Sequence, residues 1–120
     1  MKLNNKWTLW NHDQSNNWDI TSYKKLFSFN TLDSAITFNE NIHPNIIKKS
    51  MIFLMKDDIQ PIWEDKLNIN GGCFSYKINE EIVVNIWKKL VYYLIGMTIS
   101  NNENILNNIN GISISPKKNF

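Results

Sequence analysis

The sequence predicts an α+β domain, an antiparallel sheet with helices packed on one face. Three observations carry this. Short alternating or continuously apolar stretches recur at Lys6–Asn11, Ser22–Phe29, Met51–Met55, Cys73–Ile78 and Gly111–Ser115. Two longer stretches, opening at Thr31 and Asn79, instead repeat their apolar residues at helical spacing. No repeat or linker separates these elements, and 120 residues is a one-domain length, so residues 1–120 read as a single unit.

In the first strand, Lys6–Asn11, alternation sends Trp7 and Leu9 to one face and Thr8 and Trp10 to the other; both tryptophans read as packing residues. His12 to Asn17 is a polar, turn-rich loop that ends on Trp18. The second strand, Ser22–Phe29, carries Tyr23, Leu26 and Phe27 with the basic pair Lys24-Lys25. Thr31 then suits a helix N-cap, with Asp33 near the positive end of the helix dipole. Leu32, Ala35, Ile36 and Asn39 share one face of that helix, which is expected to stop before His43-Pro44. Met51–Met55 is a buried strand. Gly71-Gly72 turn into an alternating strand over Cys73–Ile78. Asn79 caps the second helix, Glu80-Glu81 suit its dipole, and Val83, Trp87, Leu90, Val91 and Leu94 form its core stripe up to Gly96. Asn101–Asn110 is expected to be loop, and Gly111–Ser115 the last strand.

The net charge of +2 argues against a duplex-coating protein and permits a focused anion site. Every basic side chain apart from histidine is lysine, so a side-chain phosphate contact is a point charge and not a bidentate fork. The lone Cys73 has no internal disulfide partner, and no secretory signal opens the chain, so a reducing cytoplasmic setting is expected. The apolar run near Leu90–Met97 is too short to span a bilayer. His12, His43 and Cys73 lack ligand spacing, so neither metal nor cofactor is expected, and both histidines read as loop residues.

The chemistry concentrates in Lys56-Asp57-Asp58-Ile59-Gln60-Pro61-Ile62-Trp63-Glu64-Asp65, a Pro-containing polar loop that nevertheless holds a tryptophan beside a carboxylate. An indole can stack on a base. A carboxylate can accept together from guanine N1–H and N2–H, and such charge-assisted bonds are strong. The plainer alternative is that Trp63 folds onto the core and Glu64 is solvated. Glu64 and Asp65 have no third acid at a supporting spacing, so an enzyme is not expected.

This loop, followed by Gly71-Gly72-Cys73-Phe74, resembles the eukaryotic translation initiation factor 4E family, which binds the messenger RNA cap. Lys6-Trp7-Thr8-Leu9-Trp10, Asn16-Asn17-Trp18, Phe29-Asn30-Thr31-Leu32-Asp33 and Ile86-Trp87 through Leu94-Ile95-Gly96 extend the resemblance from about Leu3 to Lys118. The family implies a strongly curved sheet with helices on its convex face and the cap site on the concave side. It implies that Trp18 and Trp63 sandwich 7-methylguanine and that Glu64 reads its edge. The base is cationic, and indole is the best ring to face a cation. Lys117, and more loosely Lys118, fall near the family's phosphate-binding positions. Leu32, Ile36 and Ile95 fall in its pattern for an adaptor of the initiation factor 4G type. The expected function is therefore cap binding in translation initiation or its viral control, with capped messenger RNA as partner. The alternative is a relative that has lost the cap and serves as a decoy or interaction module.

Departures from the family pattern shape these expectations. Roughly the last third of the family's domain has no counterpart here, a methyl-contacting tryptophan and a phosphate-binding lysine included, which would leave a sheet edge unpaired. Cys73 replaces a phosphate-contacting arginine, and Phe74 replaces a tryptophan. Ile36 stands where the family grips its adaptor with tryptophan; Lys88 and Lys89 replace an apolar and an acidic contact. The heavy use of Asn, Ile and Lys reflects an AT-rich genome, such as that of a large virus or a protist.

Overall fold

A computed structural model describes residues 2–12, 19–62, 65–69, 71–72 and 75–116. The strands are β1 (Lys2–His12), β2 (Tyr23–Thr31), β3 (Met51–Lys56) and β4 (Gly111–Ile114), and the helices α1 (Leu32–Asn41), α2 (Pro44–Lys49), α3 (Glu80–Ile95) and α4 (Glu103–Asn108). Among the described residues these strands form one curved antiparallel sheet in the order β2–β1–β3–β4, with helices on its convex side. Register shifts between Lys2 and Trp7 and between Leu9 and Trp10 interrupt β1 against β2. Irregularities of this kind bend and twist a strand.

Alternation along β1 sorts the core. Trp7 and Leu9 join Phe29, Ile52 and Leu54 on the helix side, where they meet Ala35, Ile47, Val83, Trp87, Val91 and Leu94. Trp10 points the other way and packs with Met55 and Ile59. Leu9 pairs with Phe27 on one side and with Leu54 on the other, and Leu54 pairs with Ile112, so one apolar row crosses all four strands.

Local chemistry explains the helix ends. The Thr31 hydroxyl accepts from Ser34 N at 3.3 Å, and Asn79 Oδ1 accepts from Glu81 N at 3.0 Å. Gly96 caps α3, but the left-handed residue that turns the chain is Met97, with φ of 58°. Asn39 is buried on α1 and donates to the Lys88 carbonyl at 3.2 Å, joining α1 to α3.

α1 stops before His43-Pro44 as expected, but Pro44 also opens the unforeseen α2 at a first-turn position, where its missing N–H costs nothing, with His43 Nδ1 accepting from Asn45 N at 3.0 Å. Three expectations are corrected. Residues 75–79 form no strand: Tyr76 is 81% exposed and Ile78 has no described strand beside it, so their alternation lacks the neighbour that would make it a ladder. The Asn-rich stretch contains α4, because the Asn102 side chain caps it by accepting from Asn104 N and Ile105 N. His12 is a buried strand residue whose ring lies 4.4 Å from that of Tyr23.

Candidate functional site

Two segments meet over the open face of the sheet. The first returns from the end of β1 to β2. Its described part is a single 3₁₀ turn, Ile20–Ser22, closed by the Ser22 amide and hydroxyl donating to Asp19 O at 2.9 and 2.7 Å. Ile20 packs against the cluster of Trp10, Met55 and Ile59, together with Tyr23 and Phe53. Lys25 Nζ lies 5.2 Å from the centre of the Trp10 ring on the same face, a cation–π distance.

The second segment leaves β3 at Lys56 and is fixed at its start. Asp57 adopts φ of 54°, and its amide donates to Lys6 O at 2.6 Å. Asn5 Nδ2 donates to the Asp57 carboxylate, and Lys6 Nζ reaches Asp58 at 2.9 Å. That hydrogen bond, with the lysine charge, holds the Asp58 carboxyl below its ordinary value. Ile59 then turns inward, only 4% exposed, and Pro61 is buried behind it.

Around the Trp63-Glu64 position the backbone is held by side chains. Asp65 Oδ2 accepts from Gln60 N and Oδ1 from Leu67 N, both at 2.9 Å. Asn68 Nδ2 donates to Gln60 O at 2.8 Å and to Ile62 O at 2.7 Å. Asn110, just ahead of β4, donates to Leu67 O at 2.7 Å and to Asn68 Oδ1 at 2.8 Å. An open cleft of about 510 Å³, lined by Gln60, Asp65, Lys66 and Leu67, adjoins this loop; that is within the usual range of small-ligand sites. The roles of Asp65, Asn68 and Asn110 were not legible from sequence, although an Asp and an Asn flanking a Trp-Glu pair are residues that bond readily to nearby backbone.

Trp18, Trp63, Glu64, Lys117 and Lys118 lie outside the described residues, as do Cys73 and Phe74. On the convex side, Ile36 is 41% exposed on α1 and Leu32 is half-buried. Ile95 is corrected: at 3% exposure it belongs to the core and offers no side chain to a partner. The reason is that Leu94 and Ile95 are both buried, so the apolar stripe of α3 widens at its C-terminal end. Lys89 is exposed and Lys88 half-buried. Among the described residues no group of three His, Cys, Asp or Glu could hold a metal ion, and no helix is long and apolar enough to cross a membrane.

Fold and loops together define a curved-sheet α+β domain whose helices back an open, loop-flanked face. Residues 2–120 match the family model for eukaryotic initiation factor 4E, and the chain belongs to that family. It is 27% identical to the initiation factor 4E homolog of Acanthamoeba polyphaga mimivirus, over 96% of this chain and 50% of the relative. It is 31% identical to initiation factor 4E of Candida albicans, over 97% of this chain and 59% of the relative. The chain thus spans about half the length of the curated relatives it matches. The fold is that of Caenorhabditis elegans eIF4E-3, solved with the 4E-binding protein Mextli and a cap analog: TM-score 0.83 at 22% identity, covering 98% of this chain and 68% of that one. Ascaris suum eIF4E-3, solved with the m7G cap, superposes with a TM-score of 0.78 at 23% identity, over 98% and 67% of the two chains.

Proposed function

We propose that this chain binds the 7-methylguanosine 5′ cap of messenger RNA, without chemistry on it, in cytoplasmic translation initiation or its viral control. One observation carries the reading. Ile20, two residues after Trp18, and Ile59, four before Trp63, pack into the same cluster on the open face. The described ends of the two tryptophan-bearing loops thus share one face of the sheet, which supports a reading in which both loops serve one ligand. In this reading Trp18 and Trp63 stack on the two faces of the methylated base, and Glu64 accepts from its N1–H and N2–H. The cationic base favours indole on both sides. Lys117 and Lys118 attract the triphosphate. The cap analog and m7G cap in the solved relatives support this choice of ligand.

Its test is retention on immobilised 7-methyl-GTP together with quenching of tryptophan fluorescence. Elution by 7-methyl-GTP and not by GTP is the expected result; no retention, or equal elution by both, rejects it.

The convex surface is proposed to meet an adaptor helix through Leu32 and Ile36. The 4E-binding protein Mextli in the Caenorhabditis elegans complex supports a partner of that kind. Exposed Lys89 and half-buried Lys88 place positive charge on α3 there, which disfavours basic residues of a partner helix facing them.

A further inference from the structure

We infer that Asn110 is a positioning residue for the Trp63-Glu64 loop, acting through Asn68. The inference rests on the cap-binding reading for its ligand and on loop geometry for the rest. Asn110 stands on a fixed base. Its carbonyl accepts from Lys56 N at 2.8 Å. Its neighbour Gly111 is pressed onto β3 so closely that a Cβ would run into the Leu54 carbonyl oxygen and Met55 Sδ.

From that base the carboxamide reaches away from the strand. The β3–β4 ladder begins at Gly111, opposite Met55, and needs no side chain from residue 110. Asn110 Nδ2 donates instead to Leu67 O and to Asn68 Oδ1, 43 and 42 residues distant in sequence. Asn68 passes the constraint on, donating to Gln60 O and Ile62 O on the near side of Trp63. Two carboxamides in series thus join the last strand to the backbone that leads into the tryptophan. Asn68 accepts from one group and donates to two, which calls for a carboxamide, while Asn110 must donate to two oxygens. An aspartate at either position would be an acceptor aimed at carbonyl oxygens.

The experiment compares wild type, Asn110→Asp and Asn68→Asp, by amide hydrogen exchange without ligand and by titration with 7-methyl-GTP. Both substitutions are close in size to asparagine. Each is expected to speed exchange at Gln60 and Leu67 about tenfold or more while the amides of the β3–β4 ladder keep wild-type protection. Each is expected to weaken 7-methyl-GTP about five- to tenfold, the scale of one or two hydrogen bonds. Unchanged exchange at Gln60 and Leu67 overturns the inference, as does faster exchange that extends equally to the ladder. Faster loop exchange with unchanged affinity also overturns it, since the tether would then not position the site. If wild type itself fails to bind 7-methyl-GTP, the cap reading fails; local loosening in the variants would then still support the tether, without its ligand.

Discussion

Ile20 and Ile59 share one apolar cluster with Trp10 and Met55, although they come from two different loops. Packing of the described residues on the sheet thus anchors one end of each loop on the same face. Substituting Ile59→Ala removes a residue only 4% exposed and is expected to cost about 2–4 kcal/mol of stability. Because Ile59 sits four residues before Trp63, affinity for 7-methyl-GTP should fall further than in a core variant of equal instability, such as Val91→Ala on α3. Chemical denaturation paired with cap titration of both variants checks this.

Gly111 is required by contact, not by backbone conformation. An added Cβ would collide with the Leu54 carbonyl oxygen and Met55 Sδ. Gly111→Ala is expected to lose about 1–3 kcal/mol, read as a lower urea midpoint, and to loosen Asn110 with it.

Tyr92 links α3 to α1 by donating to Glu40 Oε1 at 2.5 Å. Burial, then the bond to Glu40, pushes its hydroxyl pKa above the ordinary value of 10.0. In the folded state the proton is retained where the unfolded chain has released it. The stability this contributes is therefore complete below pH 10 and is lost as pH rises through the folded value. Tyr92→Phe should flatten the alkaline limb of stability against pH while lowering stability near neutrality; denaturation midpoints between pH 8 and 11 measure both. An unchanged alkaline limb would contradict the sign.

Much of the fold was legible because its signals are local. Thr31 and Asn79 cap their helices by bonds to residues two or three positions on, and the alternation of Trp7, Leu9 and Trp10 sorts them onto opposite faces. Where two local signals share one residue type, reading by sequence falters. Pro44 both ends one helix and opens another, and Asn102 looks like loop while acting as a cap. Tyr76 and Ile78 show that alternation is only an invitation to pair. Ile95 fits a partner-facing pattern but is buried, since helical spacing cannot say how wide a core stripe is. The Asn110–Asn68 bond joins residues 42 apart and has no local signature at all.

The convex surface carries a charge prediction. With Lys89 exposed beside Lys88 on α3, a basic adaptor helix should bind poorly, because like charges across an interface can cost several kcal/mol. Lys89→Glu is expected to strengthen such a helix at least tenfold at low salt, with a smaller gain at high salt. Calorimetry that finds tight binding of a basic helix to the unaltered protein would contradict this.

The central claim is that two indoles clasp one charged purine while Glu64 reads its edge. Calorimetric titration of 7-methyl-GTP and GTP into wild type, Trp63→Ala and Glu64→Ala tests it most directly. Wild type should prefer 7-methyl-GTP strongly. Trp63→Ala should lose one to two decades of affinity, from the roughly 1–3 kcal/mol of one stacked face, and Glu64→Ala should lose a comparable amount. Equal affinity for GTP, or a Glu64→Ala variant that binds as wild type does, would contradict it.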